Sequence, residues 1–160
     1  MSMTVNDPSI VDADAFTVRR TVTIAAAPEK VWAAVTQPEL IVQWFGNVAH
    51  LDRLEVGAEG EFGFDGYGTF PVCIEELDAP RAIAYRWGND NARSTDSLTQ
   101  DNSTVFRFTL EPMDDGTATR LTVIESGFDV LTDPAAAMES NRGGWDSEID
   151  ELVAFIEGTM

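Results

Sequence analysis

Glu125 is the first residue whose type and spacing could do chemistry. It follows Leu121 and Val123 in steps of two, so on a strand the three side chains share a face and a carboxyl group is aimed where its neighbours are apolar. Burying a lone carboxylate is costly, so Glu125 must be protonated, paired, hydrogen-bonded or open to a wet cavity. Arg142, on a flank of the last predicted helix, is the expected partner. Two uses stay open for Glu125: a structural ion pair or solvated mouth residue, or a group that orients a ligand or moves a proton.

The other reactive residues are few. His50 is the single histidine, which leaves no His-pair metal site and no H-E-x-x-H helix, and any nucleophilic triad would have to use it. Cys73 is the single cysteine, so no disulfide forms within the chain, and without a CxxC or a basic helix start beside it the thiol reads as a small inert hydrophobe. The glycines of Gly57–Gly60 and Gly63–Gly68 lack the Lys-Ser/Thr and the helix that a phosphate loop requires. Asp114-Asp115-Gly116 lacks the remaining oxygen ligands of a calcium loop and reads as a turn. The residues call for no metal and no cofactor.

Aromatic side chains form a second set. Ile83, Tyr85 and Trp87 share one strand face, as do Phe106, Phe108 and Leu110, and Trp145 lies on the apolar stripe of the last helix. A phenol or indole joins an apolar body to one hydrogen-bonding tip, which suits a partly polar cavity, so Tyr85, Trp87 and Trp145 are the favoured cavity residues. Trp44, Phe45, Phe62, Phe64, Phe106, Phe108, Glu125 and Ile149 complete the candidate ligand-binding set, and no residue is assigned a catalytic role. For Phe106, Phe108, Leu121 and Val123, plain core packing is the competing explanation.

Several elements must position these groups. Alternation from Phe16 to Ile24 predicts a strand; Pro28 and Glu29 open a helix, and Pro38 to Phe45 forms a second one ended by Gly46. Strands are expected at about 50–55, 60–64, 68–77, 82–87, 104–110 and 118–126, with Pro71 demanding an edge or a bulge. The polar stretch from Gly88 to Ser103 reads as an exposed, mobile connection. After Asp133-Pro134 one helix carries the stripe Met138, Trp145, Ile149, Leu152 and Ile156, with Asp146, Ser147, Asp150, Glu151 and Glu157 opposite. Consecutive strands with helices at the ends imply an α+β fold with an antiparallel sheet. Residues 1–15 read as a flexible leader and 16–158 as a single domain.

The 160 residues carry 28 Asp and Glu against 10 Lys and Arg, a formal net charge of −18. That field repels phosphate backbones and anionic lipid, so nucleic acid and membrane are not expected partners. The lone cysteine and the lack of any signal-like or bilayer-spanning run fit a cytoplasmic location.

Four segments carry a family resemblance: AAPEKVWAAVTQPELIVQWFG (26–46), LDAPRAIAYRW (77–87), TRLTVIESGF (119–128) and GGWDSEIDELVAFI (143–156). In that order the sequence resembles the START-like, or SRPBCC, superfamily, and within it the branch of activator of heat-shock-protein-90 ATPase homologues. The resemblance implies a helix-grip (Bet v-like) fold, in which a curved antiparallel sheet with two short helices after its first strand wraps a long C-terminal helix. It also implies a cavity for a hydrophobic or amphipathic small molecule, without cofactor chemistry, in a monomer or homodimer. Two alternatives follow from the same resemblance. One is a chaperone-associated regulator, although the separate N-terminal domain of the eukaryotic activators does not occur in this chain. The other is a polyketide-cyclase-like enzyme using Glu125 or His50 as acid or base.

Overall fold

Strict alternation puts Val18, Arg20, Val22 and Ile24 on the buried side of a strand, β2 (Thr17–Ile24), in the computed structural model, which describes residues 6–88 and 98–158. Pro28 at the first helical position and Glu29 in the first turn then open α1 (Pro28–Thr36). A second helix, α2 (Pro38–Ile41), is a single turn, shorter than the stretch to Phe45 that the sequence suggested. Its continuation passes through turns to Gly46, whose φ of 66° and an added Cβ only 2.1 Å from the Gly63 carbonyl oxygen leave room for glycine alone.

Six strands follow as a meander: β3 (Val48–Leu51), β4 (Glu59–Phe64), β5 (Gly68–Asp78), β6 (Ala82–Gly88), β7 (Ser103–Met113) and β8 (Ala118–Ser126). With β1 (Ile10–Asp12) they make an eight-stranded antiparallel sheet of order β1-β2-β8-β7-β6-β5-β4-β3. The pair α1–α2 carries the chain from β2 to the far edge strand β3. Finally α3 (Pro134–Gly158) crosses the concave face, opened by Asp133, whose Oδ1 accepts from the Ala136 amide.

Two of the expected elements change, the edge expected at Pro71 is met locally, and one expectation falls outside the described residues. Residues 10–12, assigned to a flexible leader, are strand β1, because they find β2 as a hydrogen-bonding edge and because Arg20 and Asp146 hold the preceding chain at Asp7 and Ser9. The third strand lies at 48–51 rather than 50–55, since its partners run from Gly60 to Gly63 of β4. Pro71 is in an interior strand, yet β6 pairs with β5 only from Val72 onward, so at Pro71 β5 has a partner on one side alone; the register shift falls between Ile74 and Glu76 instead. The connection expected over Gly88–Ser103 lies, at residues 89–97, outside the described residues.

The stripe of α3 is buried as its spacing requires, with Met138, Trp145, Ile149, Leu152 and Ile156 all facing the sheet. The flank placed opposite does not face only water. Arg20, 5% exposed on the concave face, donates from Nε to the Asp7 carbonyl (2.9 Å), from Nη1 to the Asp146 carbonyl (2.8 Å) and from Nη2 to Asp150 Oδ1 (2.7 Å). One guanidinium thereby ties the N-terminal segment, the sheet and the last helix. Arg20→Met is expected to lower stability in urea denaturation by about 2–3 kcal/mol, the range for hydrogen bonds to a charged group. Asp150→Asn, at the exposed end of the same contact, is expected to cost under about 1 kcal/mol.

Candidate functional site

The register of the sheet assembles the site. Across β8, β7, β6 and β5, Glu125 stands opposite Phe106, Phe106 opposite Tyr85 and Tyr85 opposite Ile74, while Trp87 stands opposite Thr104 one step toward the sheet end. These side chains point at α3 where it presents Asn141, Gly144, Trp145 and Glu148. The positions follow i, i+3, i+4 and i+7, so they lie on one face of the helix.

Glu125 is fully buried and fully engaged. Its Oε1 accepts from Trp145 Nε1 (2.8 Å) and Asn141 Nδ2 (3.0 Å). Its Oε2 accepts from Trp87 Nε1 (3.0 Å), from Asn141 Nδ2 (3.1 Å) and from the Thr104 hydroxyl in a short contact. Every partner is a donor, which is what a group that accepts and does not donate requires. Arg142, the expected partner, is not among them: it pairs with Glu139 and Asp146 along the helix surface. One residue along a helix is a rotation of about 100°, enough to exchange the buried Asn141 amide for the outward guanidinium.

The space expected beneath the sheet is largely occupied. Phe106 packs against Tyr85, Phe108, Trp87 and Trp145 with ring centroids 5.2 to 5.7 Å apart. Trp44, Phe45, Phe62, Tyr85, Phe106 and Phe108 enclose a residual void of only about 10 Å³, too small for a guest. The polar tips there are engaged as well. Trp44 Nε1 donates to the Ala34 carbonyl (2.8 Å) and the Tyr85 hydroxyl to the Val35 carbonyl (2.7 Å), satisfying two acceptors that the end of α1 leaves without helical partners. Burial pushes the Tyr85 phenol far up from its ordinary value. Ile149 is core.

Room remains at the end of the sheet. A cleft of about 100 Å³ is lined by Phe45, Phe64, Trp87, Asn141, Gly144, Trp145 and Glu148. It adjoins a shallower hollow of about 330 Å³ bounded by Tyr67, Phe70 and Ser140, with Phe64, Trp87, Asn141 and Gly144 shared. Of the eleven candidate residues, Phe45, Phe64, Trp87 and Trp145 line this cleft, whereas Glu125 sits behind Trp87 and Trp145 as their common acceptor. Asn141, Gly144 and Glu148 were missed, although their helical spacing from Trp145 was readable. His50 is exposed on edge strand β3, its Nε2 3.1 Å from Asp52 Oδ1, away from the cleft. Burial, with Glu75 and Glu59 nearby, pushes the Cys73 thiol up. Among the described residues no cluster of His, Cys, Asp and Glu could hold a metal, and no helix is long and apolar enough to cross a membrane.

Glu148 differs from Glu125. Its Oε2 is shielded from solvent and has no hydrogen-bond partner, and desolvation, followed by repulsion from Glu151, pushes its carboxyl up to about 7. Gly144 is also notable: a Cβ built there meets nothing within 4 Å, so packing does not demand glycine, which costs about 1 kcal/mol inside a helix relative to alanine.

The family model described as Activator of Hsp90 ATPase homolog 1-like protein matches residues 25–157. No curated protein matches the sequence. Similar solved structures include protein MLL2253 from Mesorhizobium loti, at 26% identity over 90% of this chain and 98% of that one, with a TM-score of 0.74. The Aha1 dimer from Colwellia psychrerythraea is 20% identical over 88% of this chain and 96% of that one, with a TM-score of 0.68. CalU16 from Micromonospora echinospora is 20% identical over 88% and 75%, with a TM-score of 0.65. The last two likenesses speak for the helix-grip fold alone.

Two measurements follow from the carboxyl groups. Glu125→Gln sets an amide NH2 against indole and amide donors and is expected to cost about 1–3 kcal/mol in chemical denaturation. For Glu148 the folded state favours the protonated form, so its contribution to stability is fully present below the ordinary value of 4.5 and is lost as pH rises through about 7. Glu148→Gln is therefore expected to raise the melting temperature relative to the parent at pH 8, with a much smaller difference at pH 4; an equal shift at both would contradict this account.

Proposed function

This chain belongs to the Activator of Hsp90 ATPase homolog 1-like family, and on that premise we propose that it binds a small amphipathic molecule in the cleft between α3 and the ends of β4 and β6. The observation that carries this reading is where space is left: the interior is packed, while Phe45, Phe64, Trp87 and Trp145 border an open apolar cleft. An occupant would bury one end among the aromatic rings and lay its apolar body across Phe64 and Phe70 in the adjoining hollow. The gain comes from apolar surface leaving water, at about 25 cal/mol per Å², against the cost of immobilising the guest.

The same geometry weakens the enzyme alternative in its original form. Glu125 is sealed and saturated with donors, and His50 stands on the outer edge, so neither proposed acid or base meets the cleft. Nothing in the described surface favours the chaperone-regulator alternative by a specific observation.

A neutral dye that brightens in apolar sites, N-phenyl-1-naphthylamine, tests the reading. Saturable binding is expected for the parent protein, and Gly144→Phe, whose side chain would project into open space beside the cleft, is expected to weaken it at least tenfold while circular dichroism stays unchanged. Binding unaffected by Gly144→Phe would remove the cleft as the site.

A further inference from the structure

The cleft has an unusual balance of polar groups. Both indole N–H donors at its wall, those of Trp87 and Trp145, are turned to Glu125, and the Asn141 amide nitrogen donates there too. What remains at the cleft is acceptor capacity in the Glu148 carboxyl group, whose Oε2 has no partner. The terminal torsion of a glutamate is soft, so either Glu148 oxygen can be presented to a guest. Among the described residues no Lys, Arg or His lines the cleft or the adjoining hollow. Four aromatic rings complete the wall, and ring systems attract a positive charge through their quadrupoles.

An anionic guest would find no cationic side chain among the described lining residues and would meet a chain of net charge −18. A neutral hydrocarbon would leave the buried Glu148 oxygen unanswered, the situation that makes an unpaired buried carboxyl expensive. A compact cation answers both the rings and the carboxylate.

Resting on the reading of the cleft as a ligand site, we propose that its ligands are organic ammonium compounds, with the cationic head between Phe45, Phe64, Trp87 and Trp145, and Glu148 as its counter-ion. The space of about 100 Å³ takes a head of a few heavy atoms, given that one water occupies ~30 Å³ of liquid. An apolar tail leaves through the adjoining hollow. Glu148 then has a reason to stand where it lowers stability: a group poised for a charged guest is unsatisfied until that guest arrives.

The test compares choline with its uncharged isostere 3,3-dimethylbutan-1-ol, using intrinsic tryptophan fluorescence, which Trp87 and Trp145 make sensitive to occupancy. Choline is expected to bind at least tenfold more tightly than the alcohol. Glu148→Gln is expected to abolish that preference by weakening choline alone. Glu151→Gln, which removes the same formal charge from the next helical turn, should change choline binding less than twofold. Equal affinity for both probes, or equal effects of the two substitutions, overturns the ammonium assignment. N-phenyl-1-naphthylamine separates the two failures: if it binds the cleft while choline does not, only the ammonium inference falls, and if neither it nor choline binds, both readings fall.

Discussion

The structure turns on a buried carboxylate that can be satisfied only by donors from two sides. Glu125 on β8 takes one oxygen's partners mainly from α3, through Trp145 and Asn141, and the other's from β6 and β7 as well, through Trp87 and Thr104. Turning or sliding the helix would take Trp145 and Asn141, both donors to Oε1, away together and leave that buried oxygen unanswered, so the helix is held in rotation and in axial position relative to the sheet. Hydrophobic contact alone would not do this, because the stripe of α3 could slide by a turn with little loss of buried area. Arg20 performs a matching task on the other flank of the helix, where it binds the Asp146 carbonyl and Asp150.

That fixing of α3 has a consequence for the site. With the indole nitrogens directed inward to Glu125, Trp87 and Trp145 offer the cleft only ring carbon, and the aromatic cluster behind them is packed to a residual void of about 10 Å³. Packing at this density leaves no room for a guest within that cluster. Beside the aromatic cluster, space persists where the helix has a glycine at 144 and where the sheet ends at Phe64 and Trp87. Two features there are locally unfavourable: a mid-helix glycine that no neighbour requires, and a Glu148 oxygen without a partner. Departures of this kind from otherwise consistent packing concentrate at functional sites.

Much of the fold was legible before any coordinates. The inward sets Phe106–Phe108–Leu110, Leu121–Val123–Glu125 and Ile83–Tyr85–Trp87 are the faces that pack against the helix, because side-chain direction along a strand depends only on parity. The stripe of α3 was readable for a similar reason, the helical repeat being fixed by backbone geometry. Where the local signal was weak, as at Ile10–Asp12, strand formation depended on an available neighbour, β2, and three residues alone do not announce one.

By itself, then, the amino-acid order determined which faces are apolar, that Glu125 is turned inward among them, and that the terminal helix must cover the sheet. Only the tertiary structure decided that Asn141 rather than Arg142 meets that carboxyl group, that the Tyr85 hydroxyl closes the end of α1, and that the interior is solid while an opening survives beside Gly144 and Glu148. Periodicity is a property of one segment and can be read along it. Partnership and vacancy depend on how far apart, and at what rotation, several segments come to rest, and that is set by the sum of their contacts.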